Sequence, residues 1–290
     1  MQIDGKSIAA NILSTLTKDV ANFKSKGVIP TLSVILVGDD PASLAYIRQK
    51  QKAADSIGMR LLFRHEPSSI PLERLAELIR TDNSDPSIHG LIVQRPVPLK
   101  HPDDVLNTVA IAKDVDGFLP DSPFDVPVAH AVGEILKWVR ADMTHVALET
   151  LSDEALFSWL KTQKIAVVGR GETAGTPILR YFRKHDCATS SIHTKTPDPG
   201  AILADADIIV SCVGKPRVVT GDRIKPEAIV ISVGLFRNDL GKLEGDYDMN
   251  DMETHAAYYT PTPGGVGPVN VACLMKNCIK ACTMEEAPLR

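Results

Sequence analysis

Short apolar runs and longer segments with apolar residues at helical spacing alternate along almost the whole chain. Leu32-Ser-Val-Ile-Leu-Val37, Leu61-Leu-Phe-Arg64 and Gly90-Leu-Ile-Val-Gln94 read as strands. Gly5 to Lys24, Pro41 to Gly58 and Leu72 to Arg80 read as helices between them, because their apolar residues recur every three or four positions. A β-α-β-α-β order of this kind implies a parallel sheet with helices on its faces.

Asp116 to Val128 is irregular and turn-rich, Ala129 to Arg140 is an amphipathic helix, and Ala141 to Asp153 is polar and weakly patterned. A domain boundary is expected here. The pattern then restarts. Lys164–Val168, Ala188–His193, Asp207–Val213 and Ala228–Val233 read as strands, Thr173–Lys184 as a helix and Ala201–Ala204 as a short one. The fold class is therefore α/β. Thr260 to Pro268 holds three prolines and three glycines in nine residues, a composition expected to prevent regular structure. Val271, Leu274, Met275, Cys278, Ile279 and Cys282 follow at helical spacing, so a rigid loop feeds a helix N-terminus.

Composition narrows the function classes. With 290 residues the chain has room for two domains with real cores. A net charge of −4 lacks the basic excess of a nucleic-acid binder. No apolar run reaches the roughly 18–20 residues that span a bilayer. The first residues also lack the basic and apolar regions of a signal peptide. Five cysteines without a CxxC pair suit a reducing cytoplasm, and no metal-ligand set is visible.

Chemistry enters at two places. After the strand ending at Val168 comes Gly169-Arg170-Gly171-Glu-Thr-Ala-Gly175, a glycine pattern between a strand and a helix inside a βαβ unit. Such a turn presents a helix N-terminus to a dinucleotide pyrophosphate. An NAD site usually carries an acid near the end of the second strand. Here that place reads Ser191-Ile-His193-Thr194-Lys195-Thr196, without an acid, and Arg170 adds a cation. These groups suit the 2′-phosphate of NADP. The second place is a polar cluster in the first half. Tyr46 and Lys50 share a helix face at i, i+4. Gln94 ends a strand, and Lys113-Asp-Val-Asp116-Gly117 carries two acids beside a turn. A Tyr–Lys pair also marks short-chain dehydrogenases, but there it lies far downstream of the glycine loop, whereas here it precedes it.

Together these segments resemble the bifunctional methylenetetrahydrofolate dehydrogenase/methenyltetrahydrofolate cyclohydrolase family. The matching pieces, in the family's order, are Asp4-Gly-Lys6, Val37-Gly38, Pro41-Ala-Ser43, Tyr46 with Lys50, Val93-Gln94 with Pro96, and Lys113 to Phe118. They continue with Gly169-Arg170, Gly175 with Pro177, Gly214-Lys-Pro216, Gly245-Asp246 and Pro263 to Pro268. The resemblance implies two domains around a cleft: a folate-binding catalytic α/β domain (1–125 and 268–290) and an NADP-binding Rossmann-type domain (126–267), usually as a homodimer. It implies oxidation of 5,10-methylenetetrahydrofolate with NADP and hydrolysis of the methenyl product to 10-formyltetrahydrofolate. By resemblance Lys50 is the central residue of hydrolysis, Gln94 orients it, Tyr46 packs on the folate and Asp116 binds the pterin. Val93, Arg95, Pro263, Gly264, Gly265, Val266 and Gly267 line the folate site. Gly169, Arg170, Gly171, Gly175, His193, Thr194, Lys195, Gly214 and Leu235 hold the cofactor.

Several positions depart from the family. Val126-Pro-Val-Ala129 replaces Pro-Cys-Thr-Pro, and Gly171 and Ser232 stand where Ser and Asp are usual. Val269-Asn270 replaces Met-Thr, and Arg95 replaces an apolar residue. Most lie near the cofactor half, so the alternative is a cyclohydrolase with a weakened dehydrogenase. A third reading, a non-catalytic folate- or nucleotide-binding protein, leaves the Lys50–Gln94 pair without purpose.

Overall fold

The structure, a computed structural model, describes residues 1–286. The chain opens with α1 (Gly5–Ser25), β1 (Thr31–Val37), α2 (Pro41–Ile57), β2 (Arg60–Glu66), α3 (Leu72–Ser84), β3 (Gly90–Val93) and α4 (Asp103–Leu106). It continues with α5 (Pro127–Thr144), α6 (Asp153–Leu160), β4 (Ile165–Val168), α7 (Gly175–Lys184), β5 (Thr189–Ile192), α8 (Pro199–Asp205) and β6 (Ile208–Ser211). Then come β7 (Ile229–Ser232), β8 (Leu235–Arg237), β9 (Leu243–Gly245), α9 (Met249–His255), β10 (Tyr258–Tyr259) and α10 (Val266–Glu286). Two compact units result, residues 10–127 with those from 271 on, and residues 1–9 with 128–270. No helix among the described residues is long and apolar enough to cross a membrane.

In the first unit β1 lies between β2 and β3 in a parallel sheet. All seven residues of β1 are buried, as a central parallel strand covered on both faces requires. Leu32, Val34 and Leu36 pack with Ile47, Ala54 and Ile57 of α2 and with Val271, Leu274 and Met275 of α10. Ile35 and Val37 face the other way, into Leu75, Leu78 and Ile79 of α3. β2 outruns the expected 61–64, because β1 pairs with it residue for residue from Thr31↔Arg60 to Val37↔Glu66. It is an edge strand, so its outer residues are polar and hide the strand signal. α3 likewise continues past Arg80 and carries Asp82 into the core. There the carboxylate accepts Ser33 Oγ at 2.6 Å and Arg64 Nη2 and Nε at 2.6 and 3.0 Å.

In the second unit five parallel strands run in the order β10-β7-β6-β4-β5. From β4 the chain moves outward to β5 and then returns to the other side of β4 at β6. The strand order thus reverses at β4, the place where open α/β sheets bind ligands beyond the strand carboxyl ends. Residues 1–9 pack here because Ile3 N donates to Tyr259 O (2.8 Å) and Tyr259 N to Met1 O (3.0 Å). One expectation is corrected. The proline- and glycine-rich stretch is not irregular throughout, since Val266, Gly267 and Pro268 form the first turn of α10. Proline is tolerated there because first-turn amides have no intrahelical acceptor.

Candidate active site and nucleotide loop

α2 is set by its ends. Asp40 caps it by accepting Ser43 N at 2.7 Å, Pro41 occupies its first turn, and Gly58 closes it in the left-handed region at φ 80°. Its buried face runs Ser43, Ile47, Lys50, Ala53, Ala54, Ile57. Lys50 therefore sits where the helix would ordinarily bury an apolar side chain, and it is 7% exposed. Its Nζ donates to Gln94 Oε1 at 2.8 Å. Gln94 directly follows β3, and its backbone N continues the ladder to Ile35 O at 2.8 Å. Its Nε2 donates to Arg95 O at 2.9 Å, so the amide is held at both ends. Tyr46, one turn before Lys50, is half-buried against the same core.

Asp116 comes from the loop between α4 and α5. Lys113 anchors that loop by donating to Asp82 O and Asp85 O at 3.0 and 2.7 Å. Asp114 accepts Leu119 N at 2.9 Å. Asn277 of α10 donates to Val115 O and Asp125 O at 2.9 and 3.0 Å. Gly117 turns at φ 70°, and a Cβ there would lie 2.7 Å from Phe124 O.

The electrostatics couple Lys50 to Asp116. Burial pushes the Lys50 ammonium toward its neutral form, and the Asp116 carboxylate opposes this in part. Burial raises the Asp116 carboxyl above its ordinary value, while Lys50 and then Arg95 pull it back. Asp114 is also raised, again by burial. A desolvated amine of lowered basicity, fixed by an amide and placed near a carboxylate, is equipped to accept and return a proton.

The nucleotide loop is built for close approach. Gly169 leaves β4 at φ 94°, and a Cβ on Gly175 would come within 2.1 Å of Gly169 O. Only glycine lets this loop close onto the start of α7. A Cβ on Gly171 would meet nothing within 4 Å, so neither space nor backbone demands glycine there. Ala174 gives α7 no side-chain cap, which leaves its N-terminus suited to an anion. After β5, His193 N donates to Thr196 Oγ1 (2.9 Å) and Lys195 N to His193 Nδ1 (3.2 Å). That bond places the neutral ring's proton on Nε2. Thr194 and Lys195 are exposed, as is Arg170.

The sequence reading did not assign a role to Asp246. Fully buried, it accepts Ser211 Oγ at 2.6 Å, Val213 N at 2.8 Å, Gly214 N at 2.7 Å and Lys215 N at 3.0 Å. It thereby fixes the loop carrying Gly214, whose φ is 71° and whose added Cβ would lie 3.0 Å from Leu235 O. Its signal was the Gly245-Asp246 pair: a Cβ on Gly245 would clash with Ser232 Oγ and Thr262 Oγ1. Ser232 joins the same network, accepting Asp246 N (2.9 Å) and donating to Gly234 O (3.3 Å). The structure thus brings Tyr46, Lys50, Val93, Gln94, Arg95 and Asp116 into the first unit. Gly169, Arg170, Gly171, Gly175, His193, Thr194, Lys195, Gly214 and Leu235 belong to the second, as does the Pro263–Gly267 segment. There Gly264 adopts φ 105°, and the Gly265 carbonyl would lie 2.0 Å from a Cβ on Gly5.

Residues 3–116 match the family model described as tetrahydrofolate dehydrogenase/cyclohydrolase, catalytic domain, and residues 144–286 match its NAD(P)-binding domain. The chain is 38% identical over 283 residues to the bifunctional protein FolD of Geobacillus thermodenitrificans, covering 96% of each chain. Its fold is similar to that of the bifunctional FolD enzyme from Campylobacter jejuni (TM-score 0.88, 32% identity, 98% of this chain and 99% of that one). It is similar again to FolD of Trypanosoma brucei, solved with NADP cofactor and inhibitor (TM-score 0.85, 30% identity, 99% of each). Two matched domains and near-complete coverage show that the chain belongs to the tetrahydrofolate dehydrogenase/cyclohydrolase family.

Proposed function

We propose that this protein oxidises 5,10-methylenetetrahydrofolate to the 5,10-methenyl cation with NADP and hydrolyses that cation to 10-formyltetrahydrofolate. The observation that carries the reading is a buried, amide-held lysine coupled to a carboxylate, in a chain that also closes a dinucleotide loop. Gly169, Arg170, Gly175, Gly214 and Leu235 would hold the dinucleotide, with His193, Thr194 and Lys195 near its ribose. NADP bound there supplies the acceptor for the hydride that leaves the methylene carbon.

In the hydrolytic step water attacks the methenyl carbon and a C–O bond forms. Lys50, as a neutral amine, takes a proton from that water. The ammonium then gives a proton to the pterin-side nitrogen as its bond to the same carbon breaks. The remaining hydroxyl proton leaves to solvent as the formyl group forms, so one proton is released overall. Gln94 keeps the Lys50 lone pair aimed by holding Nζ at 2.8 Å. Asp116, ionised, accepts neighbouring pterin N–H donors, and Tyr46 packs on the folate from the same helix face as Lys50. A weakened dehydrogenase gains no support from the departures at Gly171 and Ser232. The first has open space, and the second completes hydrogen bonds in the Gly214 support. Two copies of the chain, working in the cytoplasm, complete the proposal; five free cysteines agree with a reducing compartment.

A spectrophotometric assay of NADP reduction with methylenetetrahydrofolate, run beside the decay of methenyltetrahydrofolate, tests it. Both activities are expected. Lys50→Met should lower hydrolysis by about 10²–10⁴-fold, the usual contribution of a general base, with folate binding within about tenfold. Unchanged hydrolysis in that variant sinks the assignment.

A further inference from the structure

We infer that Arg95 is a positioning residue of the hydrolytic centre, a fixed cation that favours the least protonated form of the Lys50–Asp116 pair. The inference rests on the cyclohydrolase reading above. Arg95 directly follows Gln94, and its carbonyl is tied to the Gln94 amide that holds Lys50. Its side chain is 21% exposed, and Cζ lies 5.0 Å from the Phe118 ring centroid, two residues beyond Asp116. Arg95, Asp116 and Phe118 line one cavity of about 30 Å³. The guanidinium is thus packed on a ring that lines the same cavity as the Asp116 carboxylate.

The charged groups around the pair are few. Asp116 is faced by Lys50 from α2 and by Arg95 from the segment after β3, with Asp114 on its own loop. Arg95 also has Asp103 of α4, 3.9 Å from Nη1, but that carboxylate is 71% exposed and screened by water.

Hydrolysis requires Lys50 as a free amine while Asp116 stays ionised. Every competing state carries at least one more proton, on Lys50 or on Asp116. A neighbouring guanidinium, which stays charged throughout the working pH range, disfavours that extra proton wherever it sits. On Lys50 it makes a second cation; on Asp116 it costs Arg95 its counter-charge. Arg95 matters most when Lys50 becomes neutral, because Asp116 then loses its larger counter-charge and keeps only the guanidinium. With Arg95 present the carboxylate keeps one counter-charge while Lys50 acts as a base.

The test is the pH profile of kcat/KM for methenyltetrahydrofolate hydrolysis in the full-length protein, comparing wild type, Arg95→Met and Arg95→Lys. Methionine keeps an apolar stem against Phe118 and removes the charge. The acid limb of Arg95→Met should move up by about one pH unit, as loss of a nearby opposite charge from a carboxylate predicts. Arg95→Lys should return it most of the way. Affinity for 5-formyltetrahydrofolate, measured by calorimetry, should fall off on the acid side at correspondingly higher pH. Superimposable profiles, or equal shifts for Met and Lys, would overturn the role. If Arg95→Met does not fold, Arg95→Gln reads the same shift. Absent hydrolysis in wild type, or unchanged hydrolysis in Lys50→Met, defeats the function instead, so the two failures are distinct.

Discussion

Replacing Asp246 by asparagine is the sharpest test of how the nucleotide unit is held together. One carboxylate oxygen accepts Ser211 Oγ and Val213 N; the other accepts Gly214 N and Lys215 N. Asparagine offers one oxygen and turns the other position into a donor: with its NH2 toward Gly214 N and Lys215 N two bonds are lost, and with its NH2 toward Ser211 the hydroxyl turns to accept and Val213 N alone is left facing a donor. The Asp246 side chain is fully buried, away from bulk solvent. Hydrogen bonds to a charged group contribute about 1.5–3 kcal/mol each, so the loss of one or two comes to about 1.5–6 kcal/mol. For a chain of this size that corresponds to a fall in melting temperature on the order of 10 °C. The loss also frees the Gly214 turn, so NADP affinity should fall in the molecules that remain folded. Thermal unfolding by circular dichroism, with and without NADP, measures both effects. Ser211→Ala, which deletes one hydroxyl donor and leaves both oxygens in place, should cost about one such bond, about 1.5–3 kcal/mol. If Asp246→Asn melts within about 2 °C of wild type, the four-bond clamp is not what holds this loop.

Three further outcomes are expected. Gly175→Ala drives a methyl group into Gly169 O and should weaken NADP binding by more than about tenfold, whereas Gly171→Ser has room and should change it by no more than about threefold; cofactor titration by fluorescence separates them, and equal effects would refute the steric argument. Arg170→Ala should weaken NADP by about 10–100-fold, the value of a charge-assisted bond to phosphate, and NAD much less; an equal loss for both removes its assigned role. Asp114 has a carboxyl raised by burial, so its protonated form favours the fold: that contribution is complete below the ordinary aspartate range near 3.8 and is lost as pH rises through the raised value. Asp114→Asn should therefore flatten stability against pH over that window in denaturant titrations, and an unchanged slope would contradict it.

What the sequence revealed follows the physics of each element. Strands covered on both faces are near-continuous apolar runs, so β1, β3, β4, β6 and β7 were legible at once. The end of α3 was cut short because Asp82 looks like a surface residue until its ion pair with Arg64 is seen, and β2 because Arg60, His65 and Glu66 at its ends are polar. α6, α9, β10 and the β8–β9 hairpin were missed, being short elements with weak periodicity. At the site, Lys50 and Gln94 stood out by type and position, whereas Asp246 entered only within the Gly245-Asp246 match, with no role assigned to it. Its importance comes from four donors spread over Ser211 to Lys215, a convergence that only the folded chain creates.

The division of labour has an energetic logic. Lys50 and Asp116 are each unfavourable to bury, and each lowers the other's cost when both are charged. A pair tuned only for stability would stay as ammonium and carboxylate, and would be a poor base. On the proposed reading the pair must leave that state, and its supports do not depend on the pair's charge. Gln94 is set by the sheet ladder through Ile35 O, and the Asp116 loop is set by Lys113, Gly117 and Asn277 through backbone carbonyls and shape. Protonation can therefore change at Lys50 without moving the atoms that position it. The nucleotide loop, closed by Gly169, Gly175 and Asp246, lies in the other compact unit and shares none of these supports. Lesions at Lys50 or Arg95 should consequently show as altered hydrolysis with NADP affinity intact, and lesions at Gly175 or Asp246 as the reverse. A Lys50→Met variant that lost NADP affinity as severely as hydrolysis would mean that the two chemistries share structural supports.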